Sequence, residues 1–208
     1  MKKYIYAGLL FVIFFGALAV FAIIAEKDAE GIRDGVLRFH VVANSDSETD
    51  QNNKLAVRDG LARLCSEIFG GSPDKESAIK SARQSCSEIE SRAEQILKER
   101  GCDMSVDATV TRRFFPTRRY DGVSLPAGVY DTLDIRIGEA AGENFFCVMF
   151  PDICVGASSA RENKQKMSDV LEDGSYKMAT DSDSVTVKFR FKLVEIIETV
   201  KNFLFAQK

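Results

Sequence analysis

The chain opens with a run in which no position is charged: Tyr4 to Ala25 (YIYAGLLFVIFFGALAVFAIIA), 22 residues between Lys2-Lys3 and the charged cluster Glu26, Lys27, Asp28, Glu30. As a helix rising about 1.5 Å per residue it spans roughly 33 Å, enough for a bilayer core. Core helices of soluble domains rarely lack a polar face over that length. The preceding lysines place the N-terminus in the cytoplasm and everything downstream outside. The pattern predicts a signal sequence or membrane anchor over residues 1–25. The run is longer than a usual signal core, and Ile23 occupies the −3 position of the best cleavage point, after Ala25, which favours a retained anchor. Residues 26–35 read as a linker and 36–208 as one extracytoplasmic domain.

Residues 36–43 (VLRFHVVA) alternate, with Leu37, Phe39 and Val41 on one face of a strand that ends at Asn44-Ser45-Asp46-Ser47. Ser47 and Asp50 have the spacing of a capping box, and Val57, Leu61, Leu64, Cys65 and Ile68 recur at helical steps up to Gly70-Gly71. Ser72-Pro73-Asp74 opens a second helix with proline in the first helical position. Its stripe of Ile79, Ala82, Cys86, Ile89, Ala93 and Ile96 continues to Gly101. From Met104 the period becomes two. Three strands follow, Met104 to Val110, Val129 to Ile137 and Phe145 to Phe150, and read as an antiparallel meander. A helix is expected near Arg161 to Leu171, then a loose Asp/Ser stretch. Val185, Val187 and Phe189 suggest a short strand before a final helix through Leu204, although that helix could begin at Val185. The fold class predicted is α+β, a mixed and mainly antiparallel sheet of about four strands covered by amphipathic helices.

Charge and chemistry narrow the function. Without Lys2 and Lys3 the chain carries 26 basic against 31 acidic residues, which disfavours a nucleic-acid partner. A single histidine rules out a His-rich metal cluster, and no HExxH, CxxC, GxSxG or Walker loop occurs. No cofactor or small-molecule substrate is implied. Five cysteines in an exported chain permit disulfides, and the odd count leaves at least one free or intermolecular. Cys65 and Cys86 read as small buried hydrophobes and Cys102 lies in a turn. Cys147 and Cys154 flank Pro151-Asp152, a turn signal that would set them opposite each other across a hairpin.

His40 lies opposite Leu37, Phe39 and Val41, and reads as a half-exposed strand histidine or, more sharply, a pH-sensitive or partner-contacting group. Asn44, Ser45 and Asp46 occupy a strand-to-helix loop that caps the helix or binds an anion. Thr111 to Tyr120 (TRRFFPTRRY) packs Arg112, Arg113, Arg118 and Arg119 with Phe114, Phe115 and Tyr120 into ten residues. Arginine and aromatic side chains are what interface centres favour; a solvated strand end or a contact with anionic lipid is the plainer alternative.

The strings RFHVVANSDSETDQNNKLAVRDGLARL (38–64), TRRFFPTRRYDGVSLPAGVY (111–130), LDIRIGEAAGENFFCVMFPDIC (133–154) and VTVKFRFKLVEIIE (185–198) resemble the stage II sporulation protein R family, in the family's order. Phe145-Phe146 stand where the family often has tryptophans, and Asp152 where a second proline is common. The resemblance implies a protein made in the forespore and exported into the space between the two sporulation membranes. There it would act as a ligand for a membrane-embedded aspartic protease, stage II sporulation protein GA, which processes the sigma-E precursor. It implies no catalytic residue. Partner-binding candidates are therefore Arg112, Arg113, Arg118, Arg119, Tyr120, His40, Asn44 and Asp46. The rivals are an exported peptidase or wall hydrolase of unconventional active site and a passive membrane scaffold.

Overall fold

The computed structural model describes residues 2–69, 71–153, 159–181 and 183–205. The first strand forms as β1 (Leu37–Val42), and all six of its residues are buried. The alternation therefore separates two interiors rather than an interior from solvent. β1 runs parallel to β5 (Gly128–Ile137) on one side and antiparallel to β6 (Asn144–Phe150) on the other, while β2 (Val106–Phe115) pairs antiparallel with β5 at the outer edge. The result is the mixed, mostly antiparallel four-stranded sheet expected, but not a meander. A strand covered on both faces must also pair both edges to satisfy its backbone. β1 therefore takes the central slot between β5 and β6.

One face is covered by α2 (Glu48–Phe69), α3 (Lys75–Gln84) and α4 (Cys86–Glu99). Leu37, Phe39, Val41, Leu133 and Ile135 meet Val57, Leu61, Ile89 and Ala93 there. The single helix expected over 72–101 is two. Ser85 breaks it, its N–H turning back to the carbonyls of Ser81 and Ala82. Asp74 caps α3 by accepting the Ser77 N–H at 2.7 Å, so Pro73 precedes the helix instead of opening it. Gly101 stops α4 as expected: at φ +74° its N–H reaches the Lys98 carbonyl and the Cys102 N–H the Leu97 carbonyl, both at 2.9 Å.

The other face is covered by α1 (Lys2–Gly35), the hairpin β3 (Arg118–Tyr120) and β4 (Val123–Leu125), α5 (Ala160–Ser168), α6 (Asp173–Thr180) and α7 (Val185–Phe205). Two sequence expectations are corrected here, and the open choice at Val185 is decided for the helix. Residues 26–35 are not a linker: α1 continues through them, and Ala25, Ala29 and Ile32, at steps of four and three, are fully buried against this layer. The segment from Val185 is helix from its first residue, because Val187, Phe191 and Val194 bury one helical face, and packing overrides the strand propensity of valine and phenylalanine. The stretch around 173–180 forms α6. Upstream, residues such as Leu10, Phe14 and Ile23 of α1 are exposed on all sides, making this a helix long and apolar enough to cross a membrane.

The link from β5 to β6 must arch over the end of β1, and Asn44 and Asp46 fasten it. Asn44 Oδ1 accepts the Glu139 N–H at 3.0 Å, Asp46 Oδ1 accepts the Glu143 N–H at 2.7 Å, and the Ala43 and Asn44 carbonyls accept from Gly142 and Ala141. Asp50 gives the expected half of a capping box through its N–H to Ser47 Oγ. Its carboxylate turns instead to Ser45 Oγ at 2.5 Å and Asn44 Nδ2 at 2.9 Å, which hold its pKa below the ordinary value.

Cys65, Cys86 and Cys102 are free; burial pushes the Cys65 thiol up to about 12. Cys147 is disulfide-bonded, and Cys154, the partner expected from the sequence, lies outside the described residues.

Two tests follow from this packing. A Cβ on Gly142 would sit 2.2 Å from the Ser45 carbonyl oxygen, whereas one on Gly71 meets nothing within 4 Å. Gly142→Ala should therefore lose about 1–3 kcal/mol in urea unfolding while Gly71→Ala stays within about 0.5 kcal/mol; equal effects would show that the arch is not rigid. Mass spectrometry of alkylated native protein should find Cys147 and Cys154 protected as a pair, a closure contributing on the order of 2–3 kcal/mol. Two alkylated thiols there would refute the pairing.

Candidate functional site

β1 sends Arg38 and His40 into the second layer, and both are buried. A buried ionisable group needs an answering charge or hydrogen bond. For His40 the answer comes from β5, whose Asp134 is its direct partner in the parallel register. His40 Nδ1 lies 2.5 Å from Asp134 Oδ1, while Asp134 Oδ2 accepts from Arg113 on β2, itself cross-strand from Tyr130. Burial alone would raise the Asp134 pKa, but the hydrogen bonds from His40 and Arg113, with their charge, hold it below the ordinary carboxylate value. The His40 ring stacks on Phe146 at 5.0 Å, nearly parallel, and meets Phe115 edge-on at 5.8 Å. Nε2 of His40 is buried with no partner among the described residues.

Arg38 is answered differently. It is wholly buried and forms no ion pair among the described residues. Its guanidinium lies 4.2 Å from the centre of the Phe115 ring and 5.1 Å from that of Tyr130, and Nη2 donates to the Tyr120 hydroxyl at 2.6 Å. Its burial lowers its pKa, and burial also raises those of Tyr120 and Tyr130, which Arg38 itself opposes. Guanidinium suits this slot because it is weakly hydrated, planar and stacks on aromatic faces.

The candidate residues thus separate into groups. His40, Arg113 and Tyr120 converge on the buried cluster, and Arg118 lies over Phe146 at 5.1 Å. Arg119, beside it on β3, is exposed. Arg112 lies on the same strand as Arg113, but strand alternation points it to the opposite face. Phe115 is 1 % exposed, whereas Phe114 is 37 % exposed, so only one of the two aromatics enters the core. Asn44 and Asp46 lie beyond the C-terminal end of β1 and serve the arch. The sequence reading did not pick out Arg38, Asp134, Tyr130 or Phe146. The one available signal was the spacing of Arg38 and His40 on the same face of a strand. Among the described residues no group of His, Cys, Asp or Glu could hold a metal ion.

β3 is held in place through its partner β4: Arg118 pairs with Leu125 and Arg119 with Ser124, and Leu125 and Val123 are buried in the cluster that contains Ala25, Ala29 and Ile32 of α1. Two guanidinium groups are therefore presented on a hairpin seated against the first turns of α1 beyond its apolar run.

Because the folded pKa of Asp134 is depressed, its contribution to stability is present above the unfolded value of about 3.9 and is lost as pH falls through the lower folded value. Asp134→Asn leaves His40 and Arg113 without their anion. It should cost about 3–5 kcal/mol at neutral pH, as expected for breaking a buried pair. It should also lose less stability than the parent on acidification from about pH 5 to pH 3. Parallel pH profiles in urea titrations of the two proteins would overturn this account of Asp134.

No solved structure matches the chain. It is 30% identical over 130 residues to "Stage II sporulation protein R" of Bacillus subtilis (strain 168), an alignment that covers 62% of this chain and 58% of that relative's length. The model of the family described as stage II sporulation protein R matches residues 33–160, from the last turn of α1 to the start of α5, and so takes in every strand and the whole buried cluster. With well over half its length in that match, the chain belongs to the stage II sporulation protein R family.

Proposed function

We propose that this protein is an exported signalling ligand of sporulation, tethered by α1 and retained there, whose β3 hairpin binds the extracytoplasmic face of a membrane-embedded aspartic protease of the stage II sporulation protein GA type and promotes processing of the sigma-E precursor. Its location would be the space between the forespore and mother-cell membranes. The observation that carries the reading is the pair Arg118 and Arg119: exposed guanidinium groups on a hairpin seated on the turns of α1 that leave the apolar run, with Arg118 lying over Phe146 of the buried aromatic cluster. Arginine on a preorganised aromatic platform is a favourable contact centre, since little side-chain freedom remains to be lost on binding. Retention of the anchor is supported by Ala25, the residue before the best cleavage point, which is fully buried in an unbroken helix.

Such a ligand acts by binding the active state of its receptor more tightly than the inactive one. Reconstitution of the full chain with the candidate protease and its precursor substrate in liposomes tests this directly. The wild-type chain should stimulate processing, and should cleave nothing when the protease is omitted; cleavage by the chain alone would instead favour the exported hydrolase. Arg118→Ala with Arg119→Ala should change stability by less than about 1 kcal/mol, as exposed charges contribute little. The same double variant should lower stimulation roughly 30-fold or more, which corresponds to about 2 kcal/mol in total, the loss of a single contact-centre side chain. A stable double variant with full activity would defeat the assignment.

A further inference from the structure

α7 has two apolar faces. Val187, Phe191 and Val194 are buried against the domain. Val185, Phe189, Ile196, Val200, Phe203 and Leu204 follow one another at steps of four, seven, four, three and one, which at 3.6 residues per turn keeps them on a second, continuous stripe. All six are exposed, from 49 % at Phe189 to 83 % at Val185. A helix that only had to cover its own domain would carry polar residues there, and a contiguous exposed apolar stripe of this kind marks a contact surface.

The position of the stripe says what covers it. The Phe189 ring lies 5.7 Å from that of Phe21, which is inside the apolar run of α1. Arg190 Nη1 pairs with Asp28 at 2.6 Å and Lys201 Nζ with Glu26 at 2.7 Å, both just beyond the run. Between Arg190 and Lys201 α7 advances about 16 Å, while between Asp28 and Glu26 α1 moves only about 3 Å. α7 therefore runs across α1, and does so at the level where the apolar run ends at Ala25. Lys188 is exposed beside the stripe, in the position from which a lysine reaches toward headgroups, and Lys192 beside it is paired with Glu195 at 2.8 Å.

We propose that α7 is an interfacial helix: its exposed stripe lies in the boundary between headgroups and acyl chains of the same bilayer that α1 crosses. The bilayer is the occupant because the stripe is continuous, through Phe189 and Phe21, with the surface that α1 itself gives to lipid. The inference rests on α1 being inserted. Its consequence is orientation, since one crossing helix leaves the domain free to rotate and tilt, whereas a second contact in the membrane plane fixes which side of the domain faces along the membrane.

The chain contains no tryptophan, so a single introduced indole reports one position. Val200→Trp, Phe14→Trp and Leu55→Trp, made separately in the full chain, place it on the stripe, within the apolar run of α1, and on α2 in the opposite layer. Each is reconstituted into vesicles of phosphatidylcholine and phosphatidylglycerol with brominated acyl chains, and Phe203→Trp repeats the measurement should Val200→Trp fail to fold by circular dichroism. The α1 probe, from Phe14→Trp, should lose most of its emission to bromolipid at any depth. The stripe probe should be blue-shifted and quenched most by lipids brominated near the carbonyl end, while the α2 probe responds to aqueous iodide alone. A stripe probe quenched only by iodide, with the α1 probe quenched by lipid, overturns the inference and leaves the anchor standing. A stripe probe shielded from both quenchers overturns it in favour of a protein partner or a second copy. An α1 probe that bromolipid does not reach removes the anchor and the inference together.

Discussion

The structure turns on the burial of β1 from both sides. A six-residue strand with neighbours on both edges and helices on both faces has nowhere to put a charge except into a cluster that neutralises it. Leu37, Phe39 and Val41 meet that requirement without effort, while Arg38 and His40 impose it on everything around them. Asp134 is set opposite His40 by the parallel register with β5, and Arg113 of the edge strand completes the carboxylate's coordination. Arg38 receives faces of aromatic rings instead of an anion. The first task of the arginine and aromatic segment is thus internal, because Phe115, Arg113 and Tyr120 serve the polar face of β1. What remains for a partner is the outer set, Arg112, Arg118 and Arg119, and of these only the last two share a strand.

Elements whose own periodicity was dense were legible in the sequence: β1, α2, α4, β2, β5 and β6 all lie where the alternation or the helical stripe puts them. What escaped was set by partners far along the chain. Asp134 sits between Leu133 and Ile135 and reads as the solvent-facing residue of a half-buried strand; only the register with β1 and the layer that contains α1 and α6 bury it. His40 was expected to be half exposed for the same reason. The pattern of residues 26–35 was hidden because two of the three buried positions that mark it, Ala25, Ala29 and Ile32, are alanines, a stripe too small to outweigh Glu26, Lys27, Asp28 and Glu30. The hairpin of β3 and β4 has three residues in each strand, too few for alternation to be told from a turn.

The grouping of candidate residues shows how far chemistry can be inferred from composition. Asn44 and Asp46 have the residue types of an anion-binding loop, yet their acceptor oxygens are taken by the N–H groups of the arch over β1. The Asn44 amide also gives its donor to Asp50, the group an anion would have needed, so the residue types of both positions have a structural duty in this loop. The arginines show the reverse: Arg118 and Arg119 are exposed, and apart from the contact of Arg118 with Phe146 their side chains are not tied into the fold by hydrogen bonds or ion pairs among the described residues.

The absence of a joint between α1 and the domain bears on how a signal could be delivered. α1 passes from its exposed apolar run into the buried turns at Ala25, Ala29 and Ile32 as one helix. α1 and α6 approach closely along that passage, since a Cβ on Gly31 would stand 2.3 Å from Ser175 Oγ and one on Gly174 2.3 Å from Asp28 Oδ1, so a side chain at either would have to displace its neighbour's. Ion pairs clamp the same turns: Glu26 takes Arg33 at 2.9 Å and Lys201 at 2.7 Å, and Asp28 takes Arg190. Burial opposes the charge of Glu26, but Lys201 and Arg33 more than compensate and keep its pKa low. With α1 in a bilayer, the hairpin that carries Arg118 and Arg119 would be held at one height above the surface. A domain so held would meet any partner in the same membrane with much of its positional freedom already lost, which would reduce the entropy lost on binding.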